Sequence, residues 1–175
     1  MQDWYGEQNR YFTFLKKVSR HIFRKNGFTR IMTPALEMKE LIVRSEGEAS
    51  DVVSKELYDV VDKKGRELVL KPESTAGIMR SYLENFKEEP QPVYLYYIEP
   101  HFRYDRPQKG RYRQFHQIGG ESIGERDQIL DAENMYIATE ILDQCGLDGQ
   151  YTLKINTLGN DKEREKYLEE LKDFF

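Results

Sequence analysis

Two β-rich runs, residues 93–103 and 113–124, flank a short stretch holding Pro107 and Gly110, which constrains the middle of the chain to a long antiparallel hairpin. Its tip is basic: Arg103, Arg106, Lys109, Arg111 and Arg113 are packed into a chain whose net charge is −4. Local basicity against an acidic background suits a polyanion. Successive strand side chains face opposite sides, so Arg113, Phe115, Gln117, Gly119 and Glu121 share one face of the second arm. That face runs from cation to aromatic ring to polar groups. At about 3.3 Å per residue, Phe115 and Glu121 stand ~20 Å apart, enough for a nucleotide at one end and a small polar ligand at the other. Gly119 would leave room for that ligand. The simpler account, a solvated basic turn, gives no reason for Phe115 to stand between Arg113 and Gln117.

Around the hairpin the pattern alternates helices with short strands. Residues 5–26 read as an amphipathic helix with Tyr11, Leu15, Val18 and Ile22 on one stripe, stopped by Asn26 and Gly27 and packed on a sheet. Residues 28–34 read as a short edge or interface strand ended by Pro34, which cannot donate to a ladder. A local hairpin is expected from residues 56–61 and 67–70 around Lys63, Lys64 and Gly65. Residues 76–86 form a helix with Ile78, Met79, Tyr82, Leu83 and Phe86 on its stripe and Ser74 or Thr75 available as N-cap. Glu73 therefore stands at a strand-to-helix junction, where a carboxylate is favoured by the helix dipole or by a ligand. A helix over residues 127–145 carries Ala132, Met135, Ala138, Leu142 and Cys145 and is closed by Gly146. A strand over 151–155 and a charged helix over 161–175, with Leu168, Leu171 and Phe175 inward, complete the chain.

The expected fold class is α+β, an antiparallel sheet flanked by helices, in one unit over residues 1–175 with no linker rich enough in Pro, Gly or Ser to divide it. With 38% hydrophobic and 33% charged residues the composition is globular, and no apolar run approaches the ~18 residues of a membrane span. The start, MQDWYGEQNRYF, has no basic leader or apolar signal core, so a cytoplasmic protein without membrane contact is expected. Cys145 is the one cysteine, which excludes an internal disulfide and suits apolar packing. His21, His101 and His116 lie far apart, and no metal-ligand cluster is expected. Overall acidity argues against a general nucleic-acid-coating surface, so any RNA contact would be regional.

Three segments together resemble the N-terminal part of the catalytic domain of bacterial histidyl-tRNA synthetases, which are class II aminoacyl-tRNA synthetases. GFTRIMTP, from Gly27 to Pro34, is similar to the first class II motif; KPESTAG, residues 71–77, resembles the family's RPEGTAG segment; and FRYDRPQKGRYRQFHQ, residues 102–117, resembles the second motif in its histidyl form. The resemblance covers essentially the whole chain. It implies a class II catalytic core, incomplete at its C-terminal side, and a reaction in which ATP and histidine give histidyl-adenylate and the histidyl group passes to tRNA(His), with Mg²⁺ accompanying ATP. It implies a homodimer formed through the segment from Gly27 to Pro34. No enzyme nucleophile is needed, because the histidine carboxylate itself attacks the α-phosphate and catalysis rests on positioning and charge neutralisation. Arginine's planar fork suits those oxygens.

Carried over by position, the resemblance assigns Arg103 to the α-phosphate and substrate carboxylate as the catalytic residue, Arg111 to the outer phosphates, Phe115 to stacking on adenine and Asp105 to the adenine amino group. It assigns Glu73 and Thr75 to the histidine α-amino group, Gln117 to the amino acid and Glu121 to the imidazole, whose ring donor suits a carboxylate. Asp105, Lys71 and Ser74 depart from a pattern that often has Glu, Arg and Gly. A further departure is the start, where the family usually has a short proline- and glycine-containing strand ahead of the Gln2 and Asp3 positions and here only MQD stands. The third class II motif, the downstream arginine segment and the anticodon-binding domain are not matched, so this chain alone is expected to aminoacylate poorly or not at all. The alternative is a non-catalytic, histidine-sensing regulatory subunit of ATP phosphoribosyltransferase. A pure histidine sensor has no reason to keep Arg103, Arg111 and Phe115 together.

Overall fold

A computed structural model describes residues 3–47, 50, 52–106, 108–156 and 161–174, with backbone alone at 161–166 and 173. Pro107 in the expected hairpin turn and Phe175 on the expected last stripe lie outside the described residues. The expected long hairpin forms from β5 (Val93–Phe102) and β6 (Gln114–Ile123), in register from Val93 opposite Ile123 to Phe102 opposite Gln114. β1 (Thr29–Arg30) runs parallel to β5 at the outer edge, giving the order β1-β5-β6. A second sheet has the order β2-β4-β3, from β2 (Leu36–Met38), β3 (Tyr58–Val61) and β4 (Glu67–Leu70), antiparallel throughout.

Pleating gives the larger sheet two buried faces. Tyr94, Tyr96, Ile98 and Ile118 face α1 (Gly6–Lys25) and α4 (Gln128–Leu142), where Ile22, Phe23, Phe28, Ile137 and Ile141 form the main core. Phe23 stacks on Tyr96 at 5.0 Å between ring centroids, worth about 1 kcal/mol beyond the area it buries. Gly120 opens this face to Phe23, whose ring would lie 2.6 Å from an added Cβ. On the opposite face Leu95 and Tyr97 pack with Ile31 and with Ile78 of α3 (Thr75–Asn85). Phe102 N–H donates to the Lys71 carbonyl at 3.0 Å and Tyr104 N–H to that of Glu56 at 2.7 Å, stitching the two sheets together at the hairpin's far end.

Several expectations need correction. The segment from Phe28 to Pro34 is strand only at Thr29 and Arg30, because after Ile31 N–H reaches Tyr96 the Thr33 N–H turns to the Glu99 carboxylate and leaves the ladder. Residues 151–155 form no strand; the Tyr151 hydroxyl donates to Asp143 Oδ1 at 2.8 Å, tying the segment to the residue after α4. The buried stripe of α4 is Leu130, Ile137 and Ile141, with Ala132 and Ala138 exposed, since branched side chains gain more from burial than alanine. Tyr11 of α1 is exposed, as are Met79 and Leu83 of α3, which line a groove with Leu41 and Arg44 of α2 (Lys39–Glu46). Leu168 and Leu171 of α5 (Asp161–Phe174) are exposed rather than inward. β2 and α2 were not anticipated. The stops were: Gly27 and Gly146 both take left-handed φ, +81° and +84°, where the helical runs end.

Among the described residues no helix is long and apolar enough to cross a membrane. Cys145 packs against the main core, and that burial pushes its thiol pKa up.

Candidate functional site

β6 presents Phe115, Gln117, Gly119 and Glu121 on one face, opposite His101, Glu99, Tyr97 and Leu95 of β5. The face is furnished at both ends. At one end the Arg103 guanidinium lies 5.4 Å from the centre of the Phe115 ring, and its Nε donates to the Pro72 carbonyl at 3.0 Å. Arg103 is thus fixed to the turn that carries Glu73. At the other end Thr75 Oγ1 donates to Glu121 Oε1 at 2.8 Å, closing the start of α3 onto β6.

Glu73 itself accepts from the backbone N–H groups of Thr75 at 2.6 Å and Ala76 at 2.9 Å. That carboxylate therefore caps α3 while facing Glu121. Ser74 occupies the N-cap position but makes no capping bond, so the capping expected of Ser74 or Thr75 falls to Glu73. Burial raises the Glu121 carboxyl pKa, the Thr75 hydrogen bond lowers it, and the Glu73 charge raises it again. A cationic group placed between the two carboxylates would relieve that repulsion. Gln117 Oε1 is buried with no hydrogen-bond partner, an acceptor available to a donor entering the site.

One part of the expected site differs. Space over Gly119 is taken by the Tyr97 ring, whose atoms would lie 2.5 Å from an added Cβ, so the glycine admits a protein side chain rather than a ligand. Burial first, then the carboxylates of Glu121, Glu73 and Glu99, pushes the Tyr97 phenol up to about 12 and keeps it a neutral donor. Arg111 and Asp105 meet each other at 3.3 Å on the exposed turn, beyond the Arg103 and Phe115 pair. Gly110 supplies the positive φ of +83° that the turn requires.

The histidyl-tRNA synthetase family model matches residues 1–159. The chain belongs to that family. It is similar to the histidine–tRNA ligase of Thermosipho melanesiensis, 44% identical over 99% of this chain and 41% of that protein, and to that of Dictyoglomus turgidum, 43% identical over 100% and 43%. The chain therefore spans about two fifths of the length of these curated relatives. Among solved structures it resembles apo S. aureus histidyl-tRNA synthetase, with a TM-score of 0.70 and 31% identity over 84% of this chain and 34% of that one. A Bacillus halodurans protein described as an ATP phosphoribosyltransferase regulatory subunit/histidyl-tRNA synthetase superposes with a TM-score of 0.72 at 27% identity, over 84% of this chain and 37% of that one.

With a histidyl-tRNA synthetase catalytic fold in place, the residues that sequence reasoning passed over stand out. Glu99 and His101 are buried beside Lys71 and Ser74, behind the Glu73 turn. Their signal was available: on the face that Phe115 and Gln117 share, β5 offers a carboxylate and an imidazole where a buried strand would ordinarily be apolar.

Proposed function

We propose that this chain supplies the ATP- and histidine-contacting half of a histidine–tRNA ligase, which forms histidyl-adenylate and then charges tRNA(His). The observation that carries this reading is the Thr75–Glu121 hydrogen bond, which joins the Glu73 turn to the polar end of the Phe115 face. A small ligand bearing an ammonium group and a ring N–H fits the Glu73, Thr75, Gln117 and Glu121 end. An adenine ring fits against Phe115, with Arg103 beside that ring to neutralise the α-phosphate and the attacking carboxylate. Arg111 and Asp105 separate on ATP binding, Arg111 turning to the outer phosphates and Asp105 to the adenine amino group.

Mg²⁺ enters with ATP, held by its phosphates. Catalysis by these residues is positional: Arg103 orients the carboxylate oxygen in line with the scissile bond while Glu73 and Thr75 hold the amino end. The exposed edge of β1 and Met32, 69% exposed, fit a homodimer through the segment from Gly27 to Pro34. Cytoplasmic residence follows from the same function. The alternative, a histidine-sensing regulatory subunit, leaves the Arg103 and Phe115 pair without a role.

Histidine-dependent ATP–pyrophosphate exchange on the purified chain, beside Arg103→Ala, tests the reading. Exchange that the substitution abolishes supports it, and histidine binding that is indifferent to ATP and to Arg103 supports the sensor.

A further inference from the structure

Behind the Glu73 turn lies a buried polar cluster outside the face that Phe115 and Glu121 furnish. Lys71, Ser74, Glu99 and His101 are all at most 4% exposed. Lys71 Nζ donates to the Thr33 carbonyl at 3.1 Å, to Thr33 Oγ1 at 3.0 Å and to Glu99 Oε2, so all three ammonium protons are engaged. Glu99 Oε1 accepts from Thr33 N–H at 3.0 Å, while Oε2 accepts from the hydroxyls of Thr33 at 3.2 Å and Ser74 at 3.4 Å. Ser74 Oγ lies 2.7 Å from His101 Nε2.

The network joins three stretches distant in sequence. Thr33 follows β1, Lys71 and Ser74 bracket the turn between β4 and α3, and Glu99 and His101 lie on β5. The turn residues between and beside Lys71 and Ser74 are those that touch the site: Pro72 holds Arg103, and Glu73 and Thr75 face Glu121. A buried ion pair is a poor source of net stability, since desolvation offsets its attraction, but it permits only one geometry.

We propose that the buried Lys71–Glu99 pair, with Thr33, Ser74 and His101 bonded around it, is a positioning device that sets the height of the Pro72–Thr75 turn over β5 and so the placement of the amino-acid ligands Glu73 and Thr75. The inference rests on the reading of those two residues as histidine ligands, and its first test is independent of that reading.

Replacing the pair by apolar residues of similar size, Lys71→Met with Glu99→Leu, removes the geometric restraint without leaving an uncompensated charge. Ser74→Ala is the milder companion, free of any capping loss because the Ser74 side chain makes no cap bond. The measurements are amide hydrogen exchange at Thr75 and Ala76, whose N–H groups the Glu73 carboxylate holds, and the histidine Kd, both in variants whose urea midpoint matches the unaltered chain. Expected are exchange at least ~10-fold faster at those two amides, with α1 amides unchanged, and a histidine Kd raised about 10-fold or more by the double substitution, less by Ser74→Ala. Breaking the Lys25–Glu140 pair, which joins α1 to α4, should change neither. Unaltered exchange at Thr75 and Ala76 in a stably folded variant overturns the proposal. A loosened turn in a chain that binds no histidine even unaltered upholds the positioning role and defeats the ligand assignment instead.

Discussion

The ring of Tyr97 lies across Gly119 on the paired strand, so close that a methyl group at Gly119 would stand 2.5 Å from its Cζ and hydroxyl oxygen. Tyr97 is nearly buried and packs with Ile31, Ile78 and Leu95, so the ring has little freedom to yield. Gly119→Ala is expected to destabilise the chain by about 1–3 kcal/mol through overpacking. In a Tyr97→Leu background the same substitution should cost less than half as much, because the clash is removed. Urea midpoints over the four-member cycle check this, and equal costs in both backgrounds would contradict the contact.

That contact also marks how far the site was legible. Alternation along β6 placed Phe115, Gln117 and Glu121 on one face, as observed, because a strand's period depends only on its own backbone. What occupies the space over Gly119 depends on cross-strand register, which pairs it with Tyr97 and which no local pattern states. The helices divide in the same way. Their ends were readable from Asn26, Gly27 and Gly146, whereas the buried sides of α3 and α4 were placed only in part: Ile78, Phe86 and Cys145 pack inward but Met79, Leu83, Ala132 and Ala138 do not, because several apolar stripes of similar width compete and only the partner surface chooses between them. The two-residue β1 was overestimated for a like reason: Thr33 gives its N–H to a side chain 66 positions away.

Choice of stripe on α4 can be tested directly. Ile137 is 3% exposed in the main core, and Ile137→Ala should cost about 2–5 kcal/mol. Ala138, the next residue and an expected core position, is exposed, so Ala138→Ser should fall within about 0.5 kcal/mol of the unaltered chain. Thermal or urea unfolding of the two variants side by side decides which stripe is buried.

Glu73 combines a structural and a proposed chemical role, and substitution can separate them. Glu73→Gln keeps a carbonyl oxygen to accept from Thr75 or Ala76 but removes the charge, so stability should change by less than about 1 kcal/mol. Binding of a histidine ammonium group depends on the charge itself and should weaken by about 10-fold or more. Glu73→Ala should lose both. A Gln variant that binds histidine as well as the unaltered chain would leave Glu73 a helix cap and nothing else.

His101 makes stability fall in mild acid. It is fully buried, and desolvation first, then the nearby Lys71 charge, lowers its pKa from 6.5 to about 4. Between those values the unfolded chain binds a proton that the folded chain refuses, so the stability contribution is intact above 6.5 and is lost as pH falls towards 4. From about pH 7 to about pH 5 the loss amounts to roughly 2 kcal/mol for this one group. His116 is also lowered by burial and adds in the same sense, so the contribution of His101 is read as a difference. His101→Gln, whose amide nitrogen can take the place of Nε2 beside Ser74, should lose about 2 kcal/mol less than the unaltered chain over the same interval. Parallel acid dependence in the two proteins would mean that His101 takes up its proton without leaving the folded state, and that the cluster behind the Glu73 turn tolerates a second positive charge beside Lys71.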